Sequence, residues 1–466
     1  MRAMRFLRAL VVFSSLVAPV AVGCGGTSDN GSGAPGGADA GPDTMMITPM
    51  VDSGGGTPDA ADANVAPYPA ELPTDFPQVV SGGGPVMATP KIVPVLFAVD
   101  DATTKTSIAD FVKKVGATEY WKAATTEYGV GAGTGLDPVL LTAADDPAMT
   151  VDDSEIQTWL AGKLNADDPA FPKPDANTLY AIFYPANVTI TIGGGAPPPS
   201  DAGADAGGGG GFGGVQSSCT AFGGYHQNIQ LDAAHQTMNV AYAVVPRCAN
   251  FGNLTGIDMV TGAGSHEMLE AVTDPFPLAM NPGYAQVDDA HIFWQGFLGG
   301  GEVGDMCAQY ASSFTKFAEL PYTVQRSWSN KAESGGHDPC VPAMPGEVYF
   351  NSVPVLPDMI AFSAFGQTVN VRGVKIPAGQ SKTIPLQLWS EAATTGPWTV
   401  KAVDFATARG QTAQLAFSFD KTSGANGDTI QMTIKVVTAS KRNHESFIVI
   451  SKLGGVEATW IGVVGN

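Results

Sequence analysis

The sequence predicts an α/β (α+β) domain followed by an all-β sandwich, and two changes of pattern carry that division. Between about residues 78 and 345, β-rich runs alternate with segments of helical spacing. From 347 to 466 the helical spacing stops and short alternating runs take over, separated by Gly, Asn and Asp turns. In the first region Lys91–Val99 reads as a buried strand, as do Thr178–Tyr184 and Asn239–Val245. Ser107–Val115 and Glu119–Glu127 have helical spacing and charge. Asp152 or Asp153 can cap a helix from about Ser154 to Leu164, with Ile156, Leu160 and Leu164 on one face. A longer helix is expected from about Ile257 to Val272, ending before Asp274-Pro275 because a residue preceding proline is pushed out of the α region. In the second region the runs at Thr383–Leu388, Trp398–Val403, Gln414–Phe419, Thr429–Val437 and Ser446–Ser451 predict an immunoglobulin-like sandwich of about seven strands. Trp389, Trp398 and Trp460 fall in that region, on a ligand face or in its core.

The N-terminus reads as an address. Met1 to Arg8 holds three arginines, Ala9 to Val22 is apolar but interrupted by Pro19, and Gly23-Cys24 follows. Residues 1–23 thus have the n-region and h-region of a secretory signal. Ala21-Val22-Gly23-Cys24 resembles the lipobox of bacterial lipoproteins, which implies a diacylglyceryl group on Cys24 and a mature chain beginning there. No other stretch is long and apolar enough to span a bilayer, so lipid is the expected anchor. Gly25 in place of an aspartate favours the outer membrane, by resemblance to sorted lipoproteins. The expected location is extracytoplasmic, at the cell surface or in the periplasm.

Residues 24–77 are rich in Gly, Asp, Ala, Pro, Ser and Thr, which bury too little surface to offset their ordering entropy, and they read as a tether. A second low-complexity stretch, Gly193 to Gly214, reads as a surface insertion within the α/β domain. The net charge of -20 excludes nucleic acid as a partner, since that requires a basic stripe. With Cys24 assigned to lipid, Cys219, Cys248, Cys307 and Cys340 remain, an even number suited to an oxidising compartment. Three pairings are formally open. The neighbours Cys219–Cys248 and Cys307–Cys340 are favoured because each closes a loop of roughly thirty residues.

The chemistry is concentrated in Gly264-Ser265-His266-Glu267-Met268-Leu269-Glu270. On a helix, residues 266 and 270 share a face, so an imidazole and a carboxylate can grip one divalent cation. Glu267 then stands beside the metal, where HExxH proteases keep a general base. The motif therefore predicts a zincin-like domain with Zn²⁺ held by His266 and Glu270. A third ligand is needed. Glu302 is the first candidate, from a loop after the helix, and Asp305 the next. Asp288, Asp289 and His291 are further candidates, or simply a polar turn. His226, in the Gly-hinged turn Gly223-Gly224-Tyr225-His226, can serve as a ligand, as a catalytic oxyanion-side donor, or as a hydrogen-bonded turn residue.

In order along the chain, Gly83-Gly84-Pro85-Val86, Tyr120-Trp121-Lys122, Cys219 with Gly224-Tyr225-His226, Tyr242–Pro246 with Cys248, the run from His266 to Pro275, and Asp305-Met306-Cys307 resemble the EXORDIUM-like, phosphate-induced protein family. The resemblance spans roughly residues 83–310 and rests mainly on the HExxEAxTDP run. It implies a secreted, cell-surface or cell-wall context. Two functions stay open at this level. One is a zinc-dependent, peptidase-like hydrolase, with Glu267 taking a proton from water. The other is a non-catalytic envelope protein, with a structural metal site or polar core, that binds cell-wall glycan or protein.

Overall fold

A computed structural model describes residues 70–73, 76–193, 215–251, 254–310, 312–364, 367–438 and 444–465. The expected signal peptide, Cys24, the expected tether as far as residue 69 and the expected insertion from 194 to 214 lie outside the described residues.

The first part of the chain builds a mixed sheet. Its order is Thr134–Gly135, Lys91–Leu96, Thr178–Ala186, Asn239–Arg247 and Tyr225–Gln230, with Val139–Leu140 also pairing Lys91–Leu96. All neighbours run parallel except the last pair, in which Tyr225–Gln230 is antiparallel to Asn239–Arg247. Parallel strands need crossovers, and helices Ala102–Val115 and Asp153–Asn165 supply two of them. Strands covered on both faces should read as continuous apolar runs, and Thr178–Ala186 is buried at every position but its last. The two-residue period sorts the side chains. Ile92, Leu179, Phe183 and Ala243 face a core shared with Phe111, Met268 and Val272, whereas Val93, Tyr180, Ile182 and Tyr242 face Ile156, Leu160 and Leu164.

Helix Asp153–Asn165 starts one residue earlier than the sequence suggests. Asp152 is its N-cap, in a reciprocal capping box with Glu155. Asp153 instead accepts hydrogen bonds from the Tyr225 and Tyr242 hydroxyls, each at 2.6 Å.

Helix Gly256–Thr273 comes after strand Asn239–Arg247 and the short pair Asn250–Phe251 and Leu254–Thr255, and packs on strands Asn239–Arg247, Thr178–Ala186 and Tyr225–Gln230. Small residues let it lie close, since a Cβ on Gly264 would stand 3.3 Å from the Phe183 ring. Beyond Thr273 the chain turns at Asn281–Gly283 and pairs Tyr284–Val287 with Val79–Ser81. The glycines before the first sheet strand are required here. A Cβ on Gly84 would sit 2.1 Å from the Asn281 carbonyl oxygen, and Gly83 adopts φ +89°. Thus the Gly82–Val86 segment braces the turn that follows the long helix, with Gly84 N–H donating to Pro282 O at 2.9 Å.

The C-terminal part is a sandwich. One sheet runs Phe350–Pro354, Ser381–Ser390, Thr429–Val436, Leu415–Phe419. The other runs Asp358–Ala364, Gln367–Lys375, Val456–Gly465, His444–Leu453, Trp398–Asp404, Ser423–Gly424. Leu386, Ile430 and Met432 of the first sheet and Val400, Phe447 and Trp460 of the second share one core. Trp389, Trp398 and Trp460 are all buried, so core packing accounts for them and no ligand face does. The same core includes Val287, Trp294 and Trp328 from before the sandwich, with Trp294 edge-on to Trp328 at 6.1 Å and to Trp460 at 5.3 Å. The expected boundary near residue 346 therefore separates two patterns of secondary structure across a continuous apolar core.

The tether's end also takes part. Phe76 packs edge-on to Trp460 at 5.7 Å, so ordered packing begins before residue 78. The expected disulfides form, Cys219–Cys248 and Cys307–Cys340. Among the described residues, no helix is long and apolar enough to cross a membrane.

Candidate metal centre

The long helix presents His266, Glu267 and Glu270 at its buried C-terminal half, as the sequence predicts. His266 Nε2 lies 3.2 Å from Glu270 Oε2, the one-turn pairing that the i,i+4 spacing dictates. His226 enters from the start of the antiparallel edge strand. Asp305 opens the short helix Asp305–Ala308, whose Cys307 is tied to Cys340, and its backbone N–H donates to Glu270 Oε1 at 3.0 Å.

Hydrogen bonds fix the tautomer of each imidazole. Gln325 Nε2 donates to Gly304 O at 2.6 Å, so Gln325 Oε1 must be the acceptor facing His266 Nδ1 at 2.9 Å. His266 therefore carries its proton on Nδ1 and keeps a lone pair on Nε2. His226 Nε2 lies 3.0 Å from the Asp274 carbonyl oxygen, which can only accept, so its lone pair is on Nδ1. An imidazole held on one nitrogen by a carbonyl, with the other left free, is the usual preparation of a metal ligand.

The donor atoms fall into two triads, each with every atom within 4.8 Å of the others: His266, Glu270 and Asp305, and His226, Glu267 and Glu270. In the first, His266 Nε2 is 3.8 Å from Asp305 Oδ1; in the second, His226 Nδ1 is 3.8 Å from both Glu267 Oε2 and Glu270 Oε2. Donors bonded to one ion at about 2.0–2.2 Å stand roughly 3.3–4 Å apart. Among the described residues, no lysine or arginine forms an ion pair with any of these carboxylates. Both donor sets thus fit a divalent cation with nitrogen and oxygen ligands.

Of the two candidates for the third ligand, the structure places Asp305 in a triad and Glu302 in neither. Glu302, the first candidate, approaches His226 at Nε2 (3.6 Å), the nitrogen already committed to Asp274, and joins neither triad. Its Oε1 is buried without a hydrogen-bond partner. Asp305 takes the place assigned to it. The reason is local: the short helix beginning at Asp305 aims that side chain toward Glu270, while Glu302 precedes the helix. His226 has its Nδ1 in a triad, where it could act as a ligand, while its Nε2 meets the Asp274 carbonyl. Asp288, Asp289 and His291 are a polar turn: Asp288 caps residues 289–291, accepting from the backbone and ring of His291 and from Gln78 N–H. Glu267 is not open to solvent, its side chain being only 4% exposed.

Burial raises the Glu267 carboxyl above its ordinary range, with Glu270 adding to the effect. Burial and the Glu270 charge push Asp305 up to about 7 and lift Glu302 well above its usual value. Burial opposes protonation of His266, yet Glu270 beside it outweighs this and raises it well above normal. For Glu270 burial is likewise outweighed, here by His266, and its pKa is lowered. These directions describe a metal-free cluster in which protons stand where a cation's charge would serve.

Sequence reasoning missed four supporting roles. Gln325 orients His266, and Tyr120 of the Tyr-Trp pair donates to the Gln325 carbonyl at 2.6 Å. Gly304 leaves room for the ligands, since a Cβ there would meet Glu270 Oε1 and His266 Nδ1, each at 2.8 Å. Gly224 does the same for Glu267, whose Oε1 would lie 2.6 Å from a Cβ. The Gly224-Tyr225-His226 and Gly304-Asp305 juxtapositions were the available signal.

No family model matches the chain, and no curated protein matches it. Among solved structures, domains 4 and 5 of the S-layer protein SbsC are similar over 24% of this chain and 54% of that one, at 18% identity and TM-score 0.15. The chain therefore spans about half the length of that S-layer fragment. The titin M3 domain is similar over 25% of this chain and 94% of that one, at 11% identity and TM-score 0.16. At these scores neither likeness adds to the reading of the site.

Proposed function

We propose that the protein is an exported, lipid-anchored hydrolase of the cell envelope, zincin-like in its first domain, which cleaves peptide bonds at a zinc site. The observation that carries the reading is the less buried triad: His266 and Asp305 have side chains 17% and 24% exposed, while Glu270 between them is buried. A catalytic zinc takes three protein ligands and keeps one position open, and this triad supplies three ligands. Zinc there would supply Lewis acidity toward a carbonyl oxygen and acidify water. Glu267, with Oε1 4.0 Å from His266 Nε2, is the carboxylate placed to accept the proton. Gln325 and the Asp305 N–H hold His266 and Glu270 in orientation.

The fold supports the same reading. The metal helix comes after strand Asn239–Arg247, and the strand beside that one, Tyr225–Gln230, is the antiparallel edge of the sheet, unpaired on its outer side among the described residues. An extended peptide can add to such an edge beside the metal. The resemblance to EXORDIUM-like proteins, the lipobox and the two disulfides support an extracytoplasmic, envelope setting.

A second reading, a non-catalytic envelope protein with a structural metal that binds cell-wall glycan or protein, is favoured by the burial of Glu267. Zinc-loaded protein assayed on casein or a peptide library separates the two. Hydrolysis abolished by Glu267→Gln, with zinc retained at His266, Glu270 and Asp305, supports the enzyme; no hydrolysis by the zinc-loaded wild type supports the binding protein.

A further inference from the structure

We infer that the centre holds two divalent cations, the second in a closed site built from His226, Glu267 and Glu270, with Glu270 shared between them. The inference rests on the metal-centre reading above and concerns how many ions it takes.

The donors divide by geometry. Neither triad contains both imidazoles, so one ion does not account for His226 and His266 together. Each imidazole has its own hydrogen-bond acceptor, Asp274 O for His226 and Gln325 Oε1 for His266, so each is prepared independently. One catalytic zinc needs three protein ligands, and His266, Glu270 and Asp305 already supply them. His226 and Glu267 are then left over as a matched nitrogen and oxygen pair facing the same Glu270.

The second triad also has the character of a closed site. The His226 side chain is 3% exposed and those of Glu267 and Glu270 are 4%. His226 Nδ1 thus points into a buried space where its nearest printed acceptors, at 3.8 Å, are beyond hydrogen-bond reach. Two buried carboxylates facing His226 Nδ1 across a 3.8 Å gap are costly without a countercharge, and a cation of about 2 Å bond length fits between them. Gly224 points the same way: any side chain there would displace the Glu267 carboxylate, which its absence lets lie against His226. An ion so placed would join the edge strand to the metal helix, bonding His226 of one to Glu267 and Glu270 of the other. Glu267 spans the two positions, with Oε2 toward His226 and Oε1 toward His266.

The test is stoichiometry. The full chain, stripped with chelator, reloaded with Zn²⁺ and desalted, is analysed by inductively coupled plasma mass spectrometry. Two zinc ions per chain are expected in the wild type, one in Asp305→Asn and one in His226→Asn, with disulfides and near-ultraviolet dichroism checked in each variant. The wild-type value stands even if a variant fails to fold. One ion per chain in the wild type, lost in Asp305→Asn and kept in His226→Asn, overturns the second site and leaves the hydrolase reading standing; one ion lost only in His226→Asn overturns the two-ion centre and the hydrolase reading together. No bound zinc overturns both.

Discussion

Substituting Gly304 with alanine probes the centre without touching a ligand. Gly304 has φ -76° and ψ -46°, an α-region conformation open to alanine, so the backbone bears no strain from the change. Its new Cβ would stand 2.8 Å from Glu270 Oε1 and from His266 Nδ1, and 3.1 Å from His266 Cε1. Ordinary contact distances are about 3.3–3.8 Å, so the two ligands must each give way by roughly 0.5 Å. Metal–ligand bonds tolerate only about 0.2 Å, so at least one donor is pulled off its position. The expected loss of zinc affinity is about 10–100-fold, the range seen when ligand-orienting partners are removed, or roughly 1.4–2.7 kcal/mol. Competition against a chromophoric chelator reads that loss. Metal-free stability should change by about 0–3 kcal/mol, from overpacking of about 1–3 kcal/mol partly offset by up to about 1 kcal/mol from replacing a glycine, so affinity is compared in variants whose metal-free melting is recorded alongside. Zinc affinity within two-fold of the wild type would refute the argument that these side chains meet around an ion.

Gln325→Leu removes the acceptor that fixes the His266 tautomer and should also lower zinc affinity about 10–100-fold in the same competition assay, whereas Gln325→Glu, which keeps an acceptor oxygen, should lose less. The metal-free protein should lose stability as pH rises. Asp305 is raised to about 7 and Glu267, Glu302, His226 and His266 are also raised, so the folded state holds protons that the unfolded chain releases. Their stabilisation is present below the unfolded values and is lost as pH climbs through the folded ones; Glu270, which is lowered, acts in the opposite sense. Melting with a chelator present should give a falling Tm from pH 5 to 8, and zinc-loaded protein a rising one, since the cation competes with those protons. A metal-free Tm that increases over that interval would contradict the assignment.

Much of this was legible in the sequence, and the illegible parts have physical causes. The long helix was readable because its stop is a proline and its motif has helical spacing, so His266, Glu267 and Glu270 could be placed together. The downstream acid was not decidable. Glu302 and Asp305 lie three residues apart, and their directions are set by a short helix, the Cys307–Cys340 bond and the Asp305 N–H contact with Glu270. Gln325 was silent, because a buried amide has no pattern of its own and its role depends on a strand reached long after the motif. In the sandwich, Gln367–Lys375 and Val456–Gly465 went unread as strands because glycines interrupt their apolar alternation. Those glycines are packing features: a Cβ on Gly462 would lie 2.2 Å from the Phe447 ring, and one on Gly373 2.6 Å from the Val463 carbonyl. The shared core across residue 346 was equally hidden, since Trp294 and Trp328 carry no mark in the sequence of having Trp460 as a neighbour.

Anomalous diffraction from a zinc-soaked crystal, recorded on both sides of the zinc edge, tests the central claim most directly. The account predicts a peak bonded to His266 Nε2, Glu270 and Asp305, with Gln325 still holding His266 Nδ1. Diffraction with no anomalous peak there, and with His266 and Glu270 in direct contact as a plain ion pair, would contradict it.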